Sequence, residues 1–196
     1  MSQPIPIGRL LRAGTTAFVA GCRVNQGALP SFGALLRIPL EESYQVYGLI
    51  YDIHIDDDGL VRQLVTAESV AEEIVRDNRE RRIVPVEMSV LTVGYEQNGR
   101  LYHLLPPRPP LSLDMVYLCT PEEIVRFTER LGYVRLLLQA SQIPIGEVIA
   151  AHFLQVQAAH PDPQWQERAI HEIITLLRDD YPRLMAVLSA LSEAIR

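Results

Sequence analysis

The chain has 196 residues and a net charge of −6, and its 48% hydrophobic and 21% charged content is ordinary for a soluble globular protein. The acidic balance disfavours nonspecific binding to nucleic acid, which relies on clustered positive charge. No apolar run reaches the roughly 18 residues of a membrane helix, and the start, MSQPIPIGRLLRAG, does not resemble a secretion signal. We therefore expect a cytoplasmic protein.

All 18 basic residues are arginine. The absence of lysine excludes a P-loop lysine, a Schiff-base lysine and a lysine general base. No strand is followed by G-x-G-x-x-G, so we expect neither a nucleotide site nor another cofactor. The two cysteines, Cys22 and Cys119, lie far apart and outside any CxxC spacing, which predicts buried core residues and no disulfide.

From residue 7 to about residue 119 the sequence has the pattern of β-strands separated by turns. The strand segments are GRLLRA, TTAFVAGCRV, YQVYGLIYDIHI, IVPVEMSVLTVGYE, RLYHLL and DMVYLC. In the fourth segment the apolar alternation slips by one residue after Val90, which predicts a bulge. Asn98-Gly99 then predicts a tight hairpin turn. Several short strands in series predict a small closed β-barrel.

Residues 53–61, IHIDDDGLV, raise the possibility of a metal loop. A calcium loop aligned on Gly59 would have His54 at its first ligand position and Val65 at its twelfth, and neither is suitable. A transition-metal site from His54 and Asp56 would lack further nearby ligands. Aspartate and glycine at a strand end are typical of a turn, so we interpret this segment as a hairpin corner.

A helix is predicted within the strand region, in TAESVAEEIVRDN, where one apolar stripe has helical spacing. It is followed by a basic cluster. We interpret the cluster as a solvated helix end, and contact with phosphate remains the alternative. The arginines that could make this contact are Arg76, Arg79, Arg81 and Arg82.

The proline-rich segment LPPRPPLSLD, residues 105–114, has two readings. It could serve as a PxxP ligand for SH3-type domains. We favour a rigid loop that returns the chain to the barrel, because a strand pattern resumes directly after it.

The character changes to helical after Cys119. In TPEE, Thr120 is the predicted N-cap, Pro121 the first helical residue and Glu123 the capping-box partner. Further helices are predicted in GEVIAAHFLQVQ, PQWQERAIHEIITLLRDD and PRLMAVLSALSEAI. HEIIT lacks the second histidine of a zinc-protease motif, because Thr175 stands in its place. The predicted fold is α+β, with a barrel domain at residues 1–119 and a helical domain at residues 120–196.

Three of these segments together resemble the HAS-barrel, the small barrel shared by HerA-type DNA-translocating ATPases and F1 ATP synthase subunits. They are IPIGRLLRAGTTAFVAGC, YQVYGLIYDI and LPPRPPLSLDMVYLCTPEEIVRF, and the resemblance covers roughly residues 5 to 130. In that family a RecA-like motor domain follows the barrel, whereas here the remaining residues have a helical pattern. The resemblance therefore implies the barrel's own role, which is to form rings and to dock partner proteins, and it carries over no catalytic residue.

The sequence thus favours a noncatalytic interaction or assembly module with no metal or cofactor. One alternative is an accessory factor of nucleic-acid processing that uses the basic cluster. Another is an enzyme with a site assembled from scattered residues such as His54, Asp56 and Arg62.

The last predicted helix is apolar over a wide arc, so it must bury more than one face, either within the chain or against another chain. We expect self-association or binding of a protein partner partly through its main stripe. The residues of this stripe are Leu184, Val187, Leu188 and Leu191.

Overall fold

The computed structural model describes residues 4–23, 30–55, 85–141 and 143–195, together with residue 72. The strands in this part of the chain are β1 (Ile5–Ala13), β2 (Ala17–Arg23), β3 (Leu35–Glu41), β4 (Tyr44–Ile55), β5 (Pro85–Gln97), β6 (Arg100–Tyr102) and β7 (Met115–Leu118). The helices are α1 (Pro121–Thr128), α2 (Val134–Gln139), α3 (Ile145–Ala159), α4 (Trp165–Leu176) and α5 (Tyr181–Ile195).

Six of the strands close into an antiparallel barrel in the order β2-β1-β7-β3-β4-β5, and β5 pairs with β2 to complete the ring. Strand β6 extends the sheet from the far end of β5. The predicted α+β class, a closed barrel followed by helices, is confirmed. The predicted inserted helix at residues 66–78 lies outside the described residues, apart from residue 72.

Strand β3 is absent from the sequence-based prediction, because Pro39 interrupts the apolar run LLRIPLE. Proline removes a backbone donor and is disfavoured in the middle of a sheet. In the structure β3 pairs with β7 only through Leu36 and Arg37. Pro39 therefore lies beyond the paired stretch on that side, where its missing N–H interrupts no ladder.

The slip predicted after Val90 is not present, because Val90 and Leu91 pair in regular register and pack in different core clusters. Strand β5 has a bulge further along, at Val93. Thr92 pairs with Gly48 and Gly94 pairs with Tyr47, so that Val93 is the extra residue between them. The predicted hairpin also forms, with φ of 51° at Asn98 and 75° at Gly99. Positive φ at both central residues is the signature of a type I′ turn.

Buried apolar side chains form two clusters on opposite faces of the barrel wall. Neighbouring residues of one strand point to different clusters, as the two-residue period of a strand requires. Leu36 and Ile50 lie inside the barrel, whereas Leu35 and Leu49 lie on its outer face beneath the helices. The helical segment is therefore packed on the barrel through a shared core, and both cysteines are buried as predicted.

Helix α1 begins with the predicted capping box. Thr120 Oγ1 accepts from the backbone N–H of Glu123 at 3.3 Å, and the Glu123 carboxylate accepts from the Thr120 N–H at 2.9 Å. Glu123 also pairs with Arg37 of β3 at 2.6 Å. The cap thus fixes α1 to the barrel wall. Within the described ranges, no helix combines the length and apolar character that a bilayer span requires.

Replacing Thr120 by alanine should lower the free energy of unfolding by about 1 kcal/mol, since it leaves an N-terminal amide of α1 without its acceptor. Urea titration followed by circular dichroism measures the change. Thr175→Ala is the matched control, because the exposed Thr175 hydroxyl bonds to the His171 carbonyl within α4 and caps no helix end. Equal losses in the two variants would contradict a specific capping role.

The turn before β3 meets the side of α3. Gly33 has φ of +79°, and a Cβ there would lie 2.7 Å from the backbone nitrogen of His152 and 2.8 Å from Ala151 Cβ. The carbonyl of Phe32 accepts from Gln155 Nε2 at 3.0 Å, and that of Gly33 from His152 Nδ1 at 3.2 Å. A residue without a side chain therefore allows α3 to lie directly against the barrel backbone.

His152 is 1% exposed and bridges this turn to the helical segment. Because Nδ1 bonds to a carbonyl oxygen, it carries the hydrogen, and Nε2 accepts from the Tyr133 hydroxyl at 3.1 Å. Burial lowers the pKa of His152 to about 4, although the bond to Gly33 acts in the opposite direction. The imidazole is therefore neutral in the folded protein.

Candidate functional site

The proline-rich loop ends in a turn that is bound to β1. The turn closes with the Asp114 N–H donating to the Leu111 carbonyl at 3.2 Å, and the Leu111 N–H donates to Asp114 Oδ2 at 2.8 Å. Leu10 holds the turn through two backbone bonds, from its N–H to the Asp114 carbonyl at 3.0 Å and from the Leu113 N–H to its carbonyl at 2.8 Å. The turn is therefore fixed on the barrel.

Leu113 occupies the third position of this turn with φ of 75°. This region is common for glycine and asparagine, but it costs a branched side chain roughly 1–2 kcal/mol. Two side chains add to the restraint, because Arg9 Nη1 donates to the Leu113 carbonyl at 2.8 Å and Ser112 Oγ donates to the Leu11 carbonyl at 3.2 Å. Surrounding bonds thus hold a leucine in a conformation that it does not favour.

Leu11 lies at a second irregularity. The β1–β2 ladder pairs Leu10 with Ala20 and Arg12 with Val19, which leaves Leu11 as the extra residue of a bulge. A Cβ at Gly21 would come within 3.1 Å of Leu11 Cδ1, so the leucine lies over a bare stretch of β2. Bulges commonly redirect a side chain beside a functional site.

The bulge and the turn together present an apolar surface, which we call the leucine patch: Leu11, Leu111 and Leu113. Their side chains are 47%, 71% and 68% exposed, respectively. Arg9 and Arg12 are exposed beside the patch, and neither has an ion-pair partner within the described part of the chain. The leucine patch is thus an apolar surface with a positive border.

The rest of the proline-rich loop is anchored at both ends. Pro106 and Pro110 are buried, so one proline of each PxxP spacing, 106–109 and 107–110, is hidden. Between them, the Arg108 carbonyl accepts from the Tyr44 hydroxyl at 3.1 Å, and the Arg108 guanidinium pairs with Glu41 at 2.7 Å. The favoured interpretation, a rigid loop returning the chain to the barrel, agrees with this geometry.

The predicted interaction stripe of α5 needs correction, because the chain itself covers it. Val187 and Leu191 are 1% and 2% exposed in the core between α5 and α3, and Leu184 and Leu188 are partly buried against that core. Gly146 of α3 allows the close approach, since a Cβ there would meet Ala190 Cβ at 3.3 Å. Val187 and Leu191 therefore stabilise the fold and are not free to bind another chain, whereas Leu184 and Leu188 keep part of their surface exposed.

The other predicted site residues are largely outside the described residues. This applies to the proposed phosphate contacts Arg76, Arg79, Arg81 and Arg82, and also to Asp56 and Arg62. His54 is described and lies exposed near the end of β4. Of the scattered residues considered for an enzyme site, only His54 therefore lies in the described part of the chain.

One charged side chain in the described region is buried beside the barrel. Glu96 is 8% exposed, and its oxygens accept from Gln45 Nε2 at 2.7 Å, from the Tyr47 hydroxyl at 3.0 Å and from Arg126 at 2.5 Å. Burial raises the pKa of Glu96, but the bonds from Arg126, Gln45 and Tyr47 outweigh it and lower the pKa below its usual value. These contacts join β4, β5 and α1, so the cluster is structural.

The thiols of the described region are not activated. Burial raises the pKa of Cys22, and burial together with nearby Glu123 raises that of Cys119 against the opposing effect of Arg37. Among the described residues, no group of three His, Cys, Asp or Glu side chains could hold a metal ion. The leucine patch is therefore the surface feature of this region that most needs a functional explanation.

Sequence reasoning missed the leucine patch. Leu11 is far along the chain from Leu111 and Leu113, and the contact between β1 and the loop depends on pairing across about a hundred residues. The available signal was the apolar pair Leu111 and Leu113, since residues 106–114 otherwise consist of proline, arginine, serine and aspartate. The sequence matches no protein-family model and no curated protein at a significant level.

Proposed function

We propose that the chain is a noncatalytic interaction module that docks a protein partner through the leucine patch. The observation that carries the proposal is that a β-bulge at Leu11 and a turn with left-handed Leu113 are hydrogen-bonded to each other and both expose leucine side chains. Backbone strain that is maintained by surrounding bonds is concentrated at functional sites. An exposed cluster of large apolar side chains marks an interaction surface when it is rigidly presented.

The free energy gained by burying the leucine patch is too small to hold a micromolar complex alone. Full burial of one leucine side chain contributes about 1.5–3 kcal/mol. Covering the exposed parts of three leucines therefore supplies roughly 3–5 kcal/mol, whereas a micromolar complex needs about 8 kcal/mol. The partner must also engage the charged border formed by Arg9 and Arg12.

The resemblance to the HAS-barrel supports the same proposal. It covers roughly residues 5 to 130 and includes the loop that carries Leu111 and Leu113. In that family the barrel docks partner proteins, and the resemblance carries over no catalytic residue to this chain. The buried and fully bonded state of Glu96 is consistent with a role in stability.

Replacing Leu113 by asparagine should raise stability and remove binding at the same time. Asparagine tolerates positive φ, so the free energy of unfolding should increase by up to about 1 kcal/mol. The variant also removes an exposed apolar contact, so less partner protein should be retained from a native lysate on the immobilised variant. Stability gained together with function lost is typical of a binding residue.

Leu104→Ser is the matched control, because Leu104 is 50% exposed and lies just after β6, outside the turn. It should leave the retained proteins unchanged. If Leu113→Asn and Leu111→Ser retain the same proteins as the wild type, and self-association is also unaltered, the leucine patch is not the docking surface.

A further inference from the structure

A cavity of about 360 Å³ lies where the barrel meets the helical segment, and we call it the seam cavity. Its volume falls within the range of small-molecule sites, which is about 300–1,000 Å³. The barrel and its loops form one side, and α2 with the residues that follow it forms the other. The leucine patch contributes no residue to this cavity, so the two features are separate.

The wall of the seam cavity is uncharged and of mixed polarity. All of the described residues that line it have neutral side chains. Leucine, isoleucine and alanine stand beside the hydroxyls of Tyr51, Thr92 and Ser141 and the amide of Gln139. Leu105 belongs to the lining and is still 43% exposed, so apolar surface is available to a ligand. Such a wall suits a neutral molecule with an apolar body and one or two polar groups.

Two arginines bond to lining residues without being part of the lining. Arg135 Nη1 donates to Gln139 Oε1 at 3.4 Å, and Arg183 Nη2 donates to the Ala140 carbonyl at 3.2 Å. Both acceptors are neutral, so the two positive charges remain near the cavity. An anion of the same shape as the neutral ligand is therefore the sharpest comparison for the chemical class.

Thr92 is a wall residue with an incomplete set of hydrogen bonds. It is 1% exposed, and its Oγ1 has no hydrogen-bond partner within the described part of the chain. The Thr92 N–H does have a partner, because it donates to the Thr16 carbonyl at 2.9 Å. A buried hydroxyl without a partner is destabilising, and such groups are rare unless a water or a ligand completes them. A molecule in the seam cavity can supply the missing partner.

We propose that the seam cavity binds a small neutral molecule that has an apolar body and a carbonyl, amide or hydroxyl group. The apolar body packs against Leu91 and Leu136, and the polar group bonds to the hydroxyls of Thr92 and Tyr51. A ligand held in this way contacts the barrel and the helical segment together. The inference goes beyond the proposed function and does not depend on it.

Benzamide is the probe, since it combines an apolar ring with a neutral amide. Added to the ¹⁵N-labelled full-length protein, it should shift the backbone amide signals on both sides of the cavity, including those of Thr92 and Ser141. The shifts should saturate with a dissociation constant of about 1 mM, as expected of a small fragment. Benzoate has the same shape and a negative charge, and toluene lacks the polar group. Each should bind about tenfold more weakly than benzamide.

Two variants remove single hydroxyls from the wall and keep the side-chain shape. Thr92→Val and Tyr51→Phe should each weaken the binding of benzamide by about three- to tenfold and leave that of toluene unchanged. Thr92→Val should not lower the melting temperature, because the hydroxyl that it removes is unsatisfied in the chain. Tyr117→Phe is the matched control, since Tyr117 lies on β7 outside the lining, and it should bind benzamide as the wild type does.

The proposal is overturned if benzamide causes no saturable shifts around the seam cavity. It is also overturned if benzoate binds as tightly as benzamide, because Arg135 and Arg183 would then select an anion. Equal binding of benzamide and toluene, or wild-type binding of benzamide by either hydroxyl variant, would show that the polar wall groups make no contact with the probe and would likewise overturn it.

Discussion

Gly33→Ala should lower the free energy of unfolding by roughly 3 kcal/mol, combining the cost of a side chain at positive φ with that of overpacking. The new Cβ would lie 2.7 Å from the backbone nitrogen of His152, and backbone cannot move aside as a flexible side chain can. The change should therefore separate α3 from the barrel or distort both. Thermal unfolding measures the loss, and near-ultraviolet circular dichroism reports the altered packing around the buried aromatic residues.

Gly99→Ala provides the matched control for backbone strain. Gly99 has φ of +75°, close to that of Gly33, but a Cβ there would meet no atom within 4 Å. This variant should lose only about 1 kcal/mol. The difference between the two variants measures how closely α3 approaches the barrel. Equal losses would mean that the close approach at Gly33 does not exist in solution.

Acidification should destabilise the protein between pH 6.5 and pH 4 through His152. Burial lowers the pKa of this histidine to about 4, whereas an unfolded histidine has a pKa of about 6.5. Between these two pKa values the histidine is protonated in the unfolded chain but neutral in the folded chain, so the free energy of unfolding falls as the pH decreases. The expected loss is about 3 kcal/mol across this window. His103, whose pKa burial also lowers to about 4, acts in the same direction.

Urea titrations across this pH range measure the effect. His152→Gln should be less stable than the wild type at neutral pH, because it loses the bonds to Gly33 and Tyr133, but its stability should depend less steeply on pH. His171→Gln, which removes an exposed histidine of α4, is the matched control. Nuclear magnetic resonance offers a direct check, since the His152 ring signals should not titrate near pH 6.5. A normal titration there would contradict the buried neutral imidazole.

Local chemical signals in the sequence were sufficient for much of the fold. The hairpin at Asn98-Gly99 and the capping box of Thr120 and Glu123 each depend on residues close together in the chain. Their physical causes, positive φ and an unsatisfied helix amide, can be identified without knowledge of the tertiary structure. Most strands and the four longer helices of the described region could be placed for the same reason, and the short helix α2 was missed.

Features that depend on distant partners could not be predicted. Strand β3 was missed because of Pro39. A proline is tolerated at this position only because the pairing with β7 ends before it, which the sequence does not show. The stripe of α5 indicated a surface that needs burial, but the sequence could not show that α3 covers it through Gly146. The leucine patch requires both the bulge at Leu11 and the turn at Leu113, which meet only after the barrel has closed.

The closure of the barrel has a consequence for the order of events during synthesis. Strand β1 lies between β2 and β7, and its first residue, Ile5, pairs with Leu118. The growing chain must therefore be translated beyond residue 118 before β1 can gain its second neighbour, whereas β4 and β5 can pair earlier. Pairing over such long sequence separations makes folding slow. Until then, the apolar residues of β1 can bind chaperones or pair with a wrong strand while the chain is still on the ribosome. The outer face of the barrel is covered only after the helical segment has also left the ribosome.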